Sequence, residues 1–130
     1  MTVRPRTVKT GDSIVEAAKL MKGEDSGIAP IVDGDRLVGV LTDRDIAIRV
    51  VAEGRDPRET KVEEIASQDL VTVDPHQALD EALRLMAQHQ VRRLPVVEED
   101  GKLVGIVSQA DVARRVDSDA AGEVVRGISE

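Results

Sequence analysis

The sequence predicts an α+β fold of mixed helix and strand, in which two pseudo-twofold-related helix–hairpin–helix units pack through their sheets. Three observations predict it. The chain repeats itself: "TVKTGDSIVEAAKLM" at residues 7–21 aligns with "TVDPHQALDEALRLM" at residues 72–86, so that Thr7, Val8, Glu16, Ala17, Leu20 and Met21 recur as Thr72, Val73, Glu81, Ala82, Leu85 and Met86 at a constant displacement of 65. Within each copy the apolar pattern then changes from a helical period to short β-rich runs around turn residues. Each copy is also too small to bury a sufficient core by itself, so the halves need one another.

The elements follow in order. Ile14, Ala17, Ala18 and Met21 fall at i, i+3, i+4 and i+7, the apolar face of a helix, and Leu79, Ala82, Leu83 and Met86 repeat it. The methionines are core side chains on this reading. Ser13 and Glu16 have the spacing of a capping box at the helix start. Next, "APIVDGDRLVGVL" places two β-rich runs around Asp33 and Gly34, a pair suited to a tight hairpin. The second copy spends one extra residue in "EEDG", after which "LVGVLTDRD" at 37–45 meets "LVGIVSQAD" at 103–111. A second helix follows in each copy, "DIAIRVVAE" and "DVARRV".

Residues 54–61, "GRDPRETK", have the Gly, Pro and charge of a linker, and "TKVEEIA" reads as a short helix capped by Thr60 with Glu63. The tail "DSDAAGEVVRGISE" predicts an amphipathic helix through Val124, Val125 and Ile128. The chain therefore divides into a first repeat at 1–55, a linker and lead-in helix at 56–66, a second repeat at 67–117 and a helical tail at 118–130.

Composition narrows the function classes. Lys and Arg number 18 against 25 Asp and Glu, a net charge of −7 that disfavours nonspecific binding to nucleic acid or to an anionic membrane surface. The absence of cysteine excludes disulfides and thiolate chemistry and is consistent with a reducing compartment. No signal-peptide-like or membrane-spanning apolar stretch is present, so the expectation is a soluble, cytoplasmic protein. Phe, Trp and Tyr are all missing, so the core is aliphatic, and any flat ring bound here lies between aliphatic side chains. The two histidines, His76 and His89, lack metal-ligand spacing, "DGD" and "EEDG" lack a calcium-loop pattern, and no Gly-rich phosphate loop or nucleophile setting is found. No metal, covalent cofactor or catalysis is expected.

One feature of "LTDRD" has two readings. Thr42 at N-cap with Asp45 three residues on resembles a capping box, sufficient reason for both residues to be there. The same helix end offers free N–H groups and partial positive charge to a polar ligand, and a carboxylate has more acceptor sites than a cap uses. Ser108 and Asp111 repeat the spacing.

The tandem of helix, strand "APIV" or "LPVV", hairpin, "LVGVLTDRD" or "LVGIVSQAD", and helix resembles a pair of cystathionine β-synthase (CBS) domains forming a Bateman module. The resemblance runs from Met1 to about Val116, and "HQVRRLPVV" and "LTDRDIAIRVVAEG" are similar to small stand-alone bacterial CBS-pair proteins. Such domains have a lead-in helix; the second repeat has "VEEIAS" in that place, while the first begins at "MT" without one. The resemblance implies a non-catalytic sensor binding an adenosine nucleotide (AMP, ADP, ATP) or S-adenosylmethionine in clefts between the repeats and regulating a partner on another chain. Thr42 and Asp45 would then serve one cleft and Ser108 and Asp111 the other, the carboxylates receiving ribose hydroxyls. Ile28, Ala29 and Pro30, with Leu94 and Pro95, would be the adenine-facing strands, and Arg93 would approach phosphate, with Arg92 and Arg44 as further candidates. The copies differ: Gly27 precedes the first apolar strand where Arg92 and Arg93 precede the second. A phosphate in the first cleft would then meet Arg93 from the other repeat. The alternative is a scaffold module with vestigial clefts, associating through its helices as a homodimer.

Overall fold

The computed structural model describes residues 2–67, 70–77 and 79–114. The tail helix expected through Val124, Val125 and Ile128 lies outside them. Within them the elements run β1 (Thr2–Val3), β2 (Val8–Lys9), α1 (Ile14–Glu24), β3 (Ile28–Asp33), β4 (Arg36–Thr42), α2 (Asp43–Ile46), α3 (Val62–Ile65), α4 (Leu79–His89), β5 (Arg93–Val97) and β6 (Leu103–Ser108). Residues 109–114 are again helical.

Helix α1 starts where Ser13 Oγ accepts the Glu16 N–H at 3.3 Å. The reciprocal half of the expected box is not formed, and Glu16 instead pairs with Lys19 at 3.8 Å. Ile14, Ala17, Leu20 and Met21 are buried, whereas Ala18 is exposed, so Leu20 takes the place expected of Ala18 on the buried face. Both long helices end alike: the Ser26 N–H donates to Met21 O and the Val91 N–H to Met86 O, each at 2.9 Å, across the left-handed residues Asp25 (φ 49) and Gln90 (φ 56). These are Schellman closures made without glycine, at equivalent positions of the two repeats.

The first hairpin pairs Asp33 with Arg36, so its two-residue turn is Gly34–Asp35, one position beyond the expected pair. Gly34 alone of the two has positive φ (68), the arrangement of a II′ turn. The second hairpin carries its extra residue as a bulge: the Gly101 N–H donates to Glu98 O at 2.8 Å, the Glu98 N–H to Lys102 O at 3.0 Å, and Gly101 has φ 91. After β4, α2 passes into a π-helical turn at Ala47–Val51 rather than one regular helix. The cap of α3 lies one residue beyond the expected Thr60–Glu63 pair: the Glu64 carboxylate accepts the Lys61 N–H at 2.8 Å, while buried Thr60 donates its hydroxyl to Asp56 O.

The repeats join by reciprocal exchange. β2–β3–β4 form one sheet and β1–β6–β5 the other. Thr2 pairs with Ile106 of the second hairpin, and Ser67, its equivalent, bridges to Val40 of the first. At the hairpin tips the Leu37 N–H donates to Gly101 O and the Leu103 N–H to Asp35 O, both at 3.0 Å, around an Arg36–Lys102 bridge that marks the pseudo-twofold axis. The lead-in helix α3 buries Val62 and Ile65 in the core of the first repeat, with Ile14, Ile31 and Leu41. A second cluster, including Met86, Leu94, Val96 and Val112, forms the core of the second. Each such large aliphatic side chain contributes about 1.5–3 kcal/mol on full burial.

Candidate functional site

Between the repeats lies an open cleft of about 760 Å³, within the size range of small-molecule sites. The first repeat supplies Ile28 at the start of β3 and Thr42, Asp43 and Arg44 where β4 turns into α2. The second supplies the stretch from the end of α4 to the start of β5, His89 through Arg93. The hairpin joint and the strand exchange hold these segments opposite each other. Asp25 and Gly27 complete the wall on the first-repeat side.

Of the residues expected from the sequence, Ile28, Thr42, Arg44 and Arg93 meet here, joined by Arg92. Ala29, Pro30, Leu94 and Pro95 do not line the cleft: their side chains are buried, because β3 and β5 are covered on both faces between their end residues. Ser108 and Asp111, expected to serve the other cleft, lie at the start of the equivalent helix of the second repeat and outside this cleft.

The Thr42–Asp45 pair forms a complete capping box. Thr42 Oγ1 accepts the Asp45 N–H at 3.1 Å, and Asp45 Oδ2 accepts the Thr42 N–H at 2.9 Å. Asp45 is half-buried beside the cleft, and the carboxylate of this helix on the cleft wall is Asp43. Asp45 Oδ1 takes no hydrogen bond among the described residues. Ser108 and Asp111 build the same box at 3.0 Å in both directions, and Arg114 adds a hydrogen bond to Asp111 Oδ1. Burial alone would raise the Asp111 carboxyl, but hydrogen bonds with Ser108 and the neighbouring Arg114 charge outweigh it and hold the group below its ordinary value.

Asp25, Asp43, His89, Gln90 and Val91 are cleft residues that sequence reasoning missed. A left-handed backbone at Asp25 and Gln90 is rare for non-glycine residues and leaves no mark in the local sequence. The usable signal was positional: both directly follow the helices whose ends the repeat alignment superposes. Gly27 has a packing reason, since a Cβ there would come within 2.9 Å of Asp43 Oδ2. The backbone link across each hairpin mouth is kept in both repeats, the Asp43 N–H to Gly27 O at 3.0 Å and the Gln109 N–H to Arg92 O at 2.7 Å.

Comparison with known proteins agrees with this architecture. The CBS domain family model matches residues 1–52 and again 62–118. The chain belongs to the CBS-domain family. The CBS domain-containing protein YhcV of Bacillus subtilis (strain 168) is 45% identical over 130 residues, covering 99% of this chain and 91% of that protein. A crystal structure of Hypoxic Response Protein I with two coordinated zinc ions is 43% identical, covers 88% of this chain and 92% of its own, and superposes with a TM-score of 0.80. A structure of CBSX2 in complex with AMP is 28% identical, covers 92% and 93%, and has a TM-score of 0.77. Among the described residues of this CBS pair, no group of three or more His, Cys, Asp or Glu is placed to hold a metal ion, and no helix is long and apolar enough to cross a membrane.

Proposed function

We propose that this CBS pair is a non-catalytic regulatory module that binds an adenosine-containing ligand, of the AMP, ADP, ATP or S-adenosylmethionine class, in the cleft between its repeats. The observation that carries the reading is the composition of the cleft from both repeats: Ile28, Thr42 and Arg44 on one side face Arg92 and Arg93 on the other. An aliphatic wall suits a purine ring, hydroxyl and carboxylate groups suit a ribose, and guanidinium groups suit phosphate. The AMP bound by the CBSX2 relative supports the ligand class. A ligand that touches both repeats favours one relative placement of them over another, which is the differential affinity that regulation of a partner on a second chain requires.

Thermal unfolding with and without AMP, ADP, ATP and S-adenosylmethionine tests the proposal. A ligand present at about 100 times its dissociation constant adds about 2.7 kcal/mol of stability. A midpoint unmoved by every compound overturns it. The scaffold reading is favoured by one specific observation: Ile48 and Val51, 47% and 69% exposed, both lie on the π-helical turn after α2. Self-association through that face predicts a dimer by light scattering at micromolar concentration, and a monomer there counts against it.

A further inference from the structure

We infer that the cleft selects nucleotides by their phosphates, preferring ATP and ADP to AMP and discriminating against adenosine and the sulfonium S-adenosylmethionine. The inference rests on the reading of the cleft as an adenosine site and narrows its ligand class. It starts from how this acidic chain treats its arginines. Arg6, Arg55, Arg58, Arg84 and Arg114 each lie within ion-pair distance of a carboxylate. Six described arginines have no such partner among the described residues: Arg4, Arg36 and Arg49, of which Arg49 donates to Ile65 O at 2.9 Å, and Arg44, Arg92 and Arg93, which share one cleft with Asp25 and Asp43 in a chain of net charge −7.

Three arginines without a carboxylate partner among the described residues line one cleft from two repeats, beside two carboxylates. Like charges brought together without partners repel, and an anion spanning them relieves that repulsion. The guanidinium fork matches phosphate oxygens two at a time. Arg44 comes from one repeat and Arg92 and Arg93 from the other. A chain of phosphates therefore engages both sides, while a single phosphate satisfies fewer of the groups. A sulfonium adds positive charge to a site that already has a surplus, and adenosine brings no charge. Asp25 and Asp43 sit with the Thr42 segment, where sugar hydroxyls have acceptors to donate to.

The test is calorimetric titration of the full chain with ATP, ADP, AMP, adenosine and S-adenosylmethionine, for wild type and for Arg92→Gln/Arg93→Gln. Neither arginine makes an ion pair among the described residues, and circular dichroism checks that the variant is folded; Arg44→Gln replaces it if it is not. The expected order is ATP, ADP, AMP, then adenosine and S-adenosylmethionine, with ATP at least about tenfold tighter than AMP. The variant loses about tenfold or more for ATP and leaves adenosine unchanged, and added salt weakens ATP more than adenosine. If adenosine or S-adenosylmethionine binds as tightly as ATP, or the variant leaves the ATP affinity intact, phosphate selection is overturned while the adenosine cleft stands. If none of the compounds binds, both are overturned.

Discussion

Replacing Asp45 by alanine separates the two tasks that its carboxylate can perform. In the folded chain Asp45 Oδ2 accepts the Thr42 N–H at 2.9 Å, and Thr42 Oγ1 accepts the residue 45 N–H at 3.1 Å. Asp45→Ala removes the first bond and keeps the second, so about half of a reciprocal cap is lost, at a cost of about 1 kcal/mol. With an unfolding entropy of about 2.1 cal/mol/K per residue over 130 residues, that corresponds to a fall in Tm of about 4 °C. Asp45→Asn retains an oxygen for the Thr42 N–H and is expected to unfold within about 1 °C of wild type, since Asn and Asp serve caps comparably. Melting curves followed by circular dichroism without nucleotide read the cap. The same curves at saturating nucleotide read the ligand: a ribose hydroxyl donating to Oδ1 makes the nucleotide-induced rise smaller in the alanine variant than in wild type. An Asp45→Ala protein that melts with wild type in the absence of nucleotide refutes the cap argument, and an undiminished nucleotide-induced rise refutes the ribose contact. Thr42→Ala breaks the other half of the box, and because the two groups share one structure the double variant should cost less than the sum of the singles.

Other substitutions probe the scaffold. Gly101→Ala places a side chain at φ 91 and 3.4 Å from the Arg36 guanidinium, at the joint that ties the hairpin tips together; Gly34→Ala has φ 68 but open space. Both should lower stability by about 1 kcal/mol through backbone strain, with Gly101→Ala the more costly in denaturant titration; equal losses would argue against a role for the joint. Gly27→Ala forces only the end of the Asp43 side chain to move, so its Tm should stay within about 2 °C of wild type while nucleotide affinity changes; a collapse in Tm would show that Gly27 serves folding first. The pH dependence follows from Asp111, whose carboxyl is held low in the folded state. Its contribution is complete above about pH 4, where the unfolded carboxyl is ionised, and is lost as pH falls through the folded value. Asp111→Asn should therefore flatten the acid limb of a stability-pH profile below about pH 4 and leave its slope near neutrality unchanged.

Under the proposed function, coupling from the cleft to a partner would have a structural route in the exchanged strands. The segment before the first helix completes the sheet of the second repeat, and the segment before the second helix borders the sheet of the first. One sheet takes a strand from the other repeat and the second is bordered by a bridge from it, so a shift between the repeats disturbs hydrogen bonds at both. The exposed Ile48 and Val51 lie one turn beyond the cleft residues Thr42–Arg44. A displacement of α2 by the proposed ligand would therefore be felt at these exposed apolar residues.

The duplication, the helix faces through Met21 and Met86, the hairpins and the caps at Thr42 and Ser108 were legible in the chain itself, because periodicity, turn chemistry and capping are governed by residues within a few positions of one another. The errors made at that level were also local: a turn displaced by one residue at Gly34–Asp35, a cap displaced by one at Lys61, and Ala18 exposed where Leu20 is buried. What the sequence by itself could not determine was which carboxylate and which strand residues stand at the cleft. Asp43 rather than Asp45 lines it, and of β3 and β5 only the first residue reaches it, because long-range packing covers the rest. The exchange of edge segments and the meeting of Arg44 with Arg92 and Arg93 join residues between 27 and 104 positions apart. Such contacts are set by how the two repeats dock, and docking is a property of the tertiary structure alone.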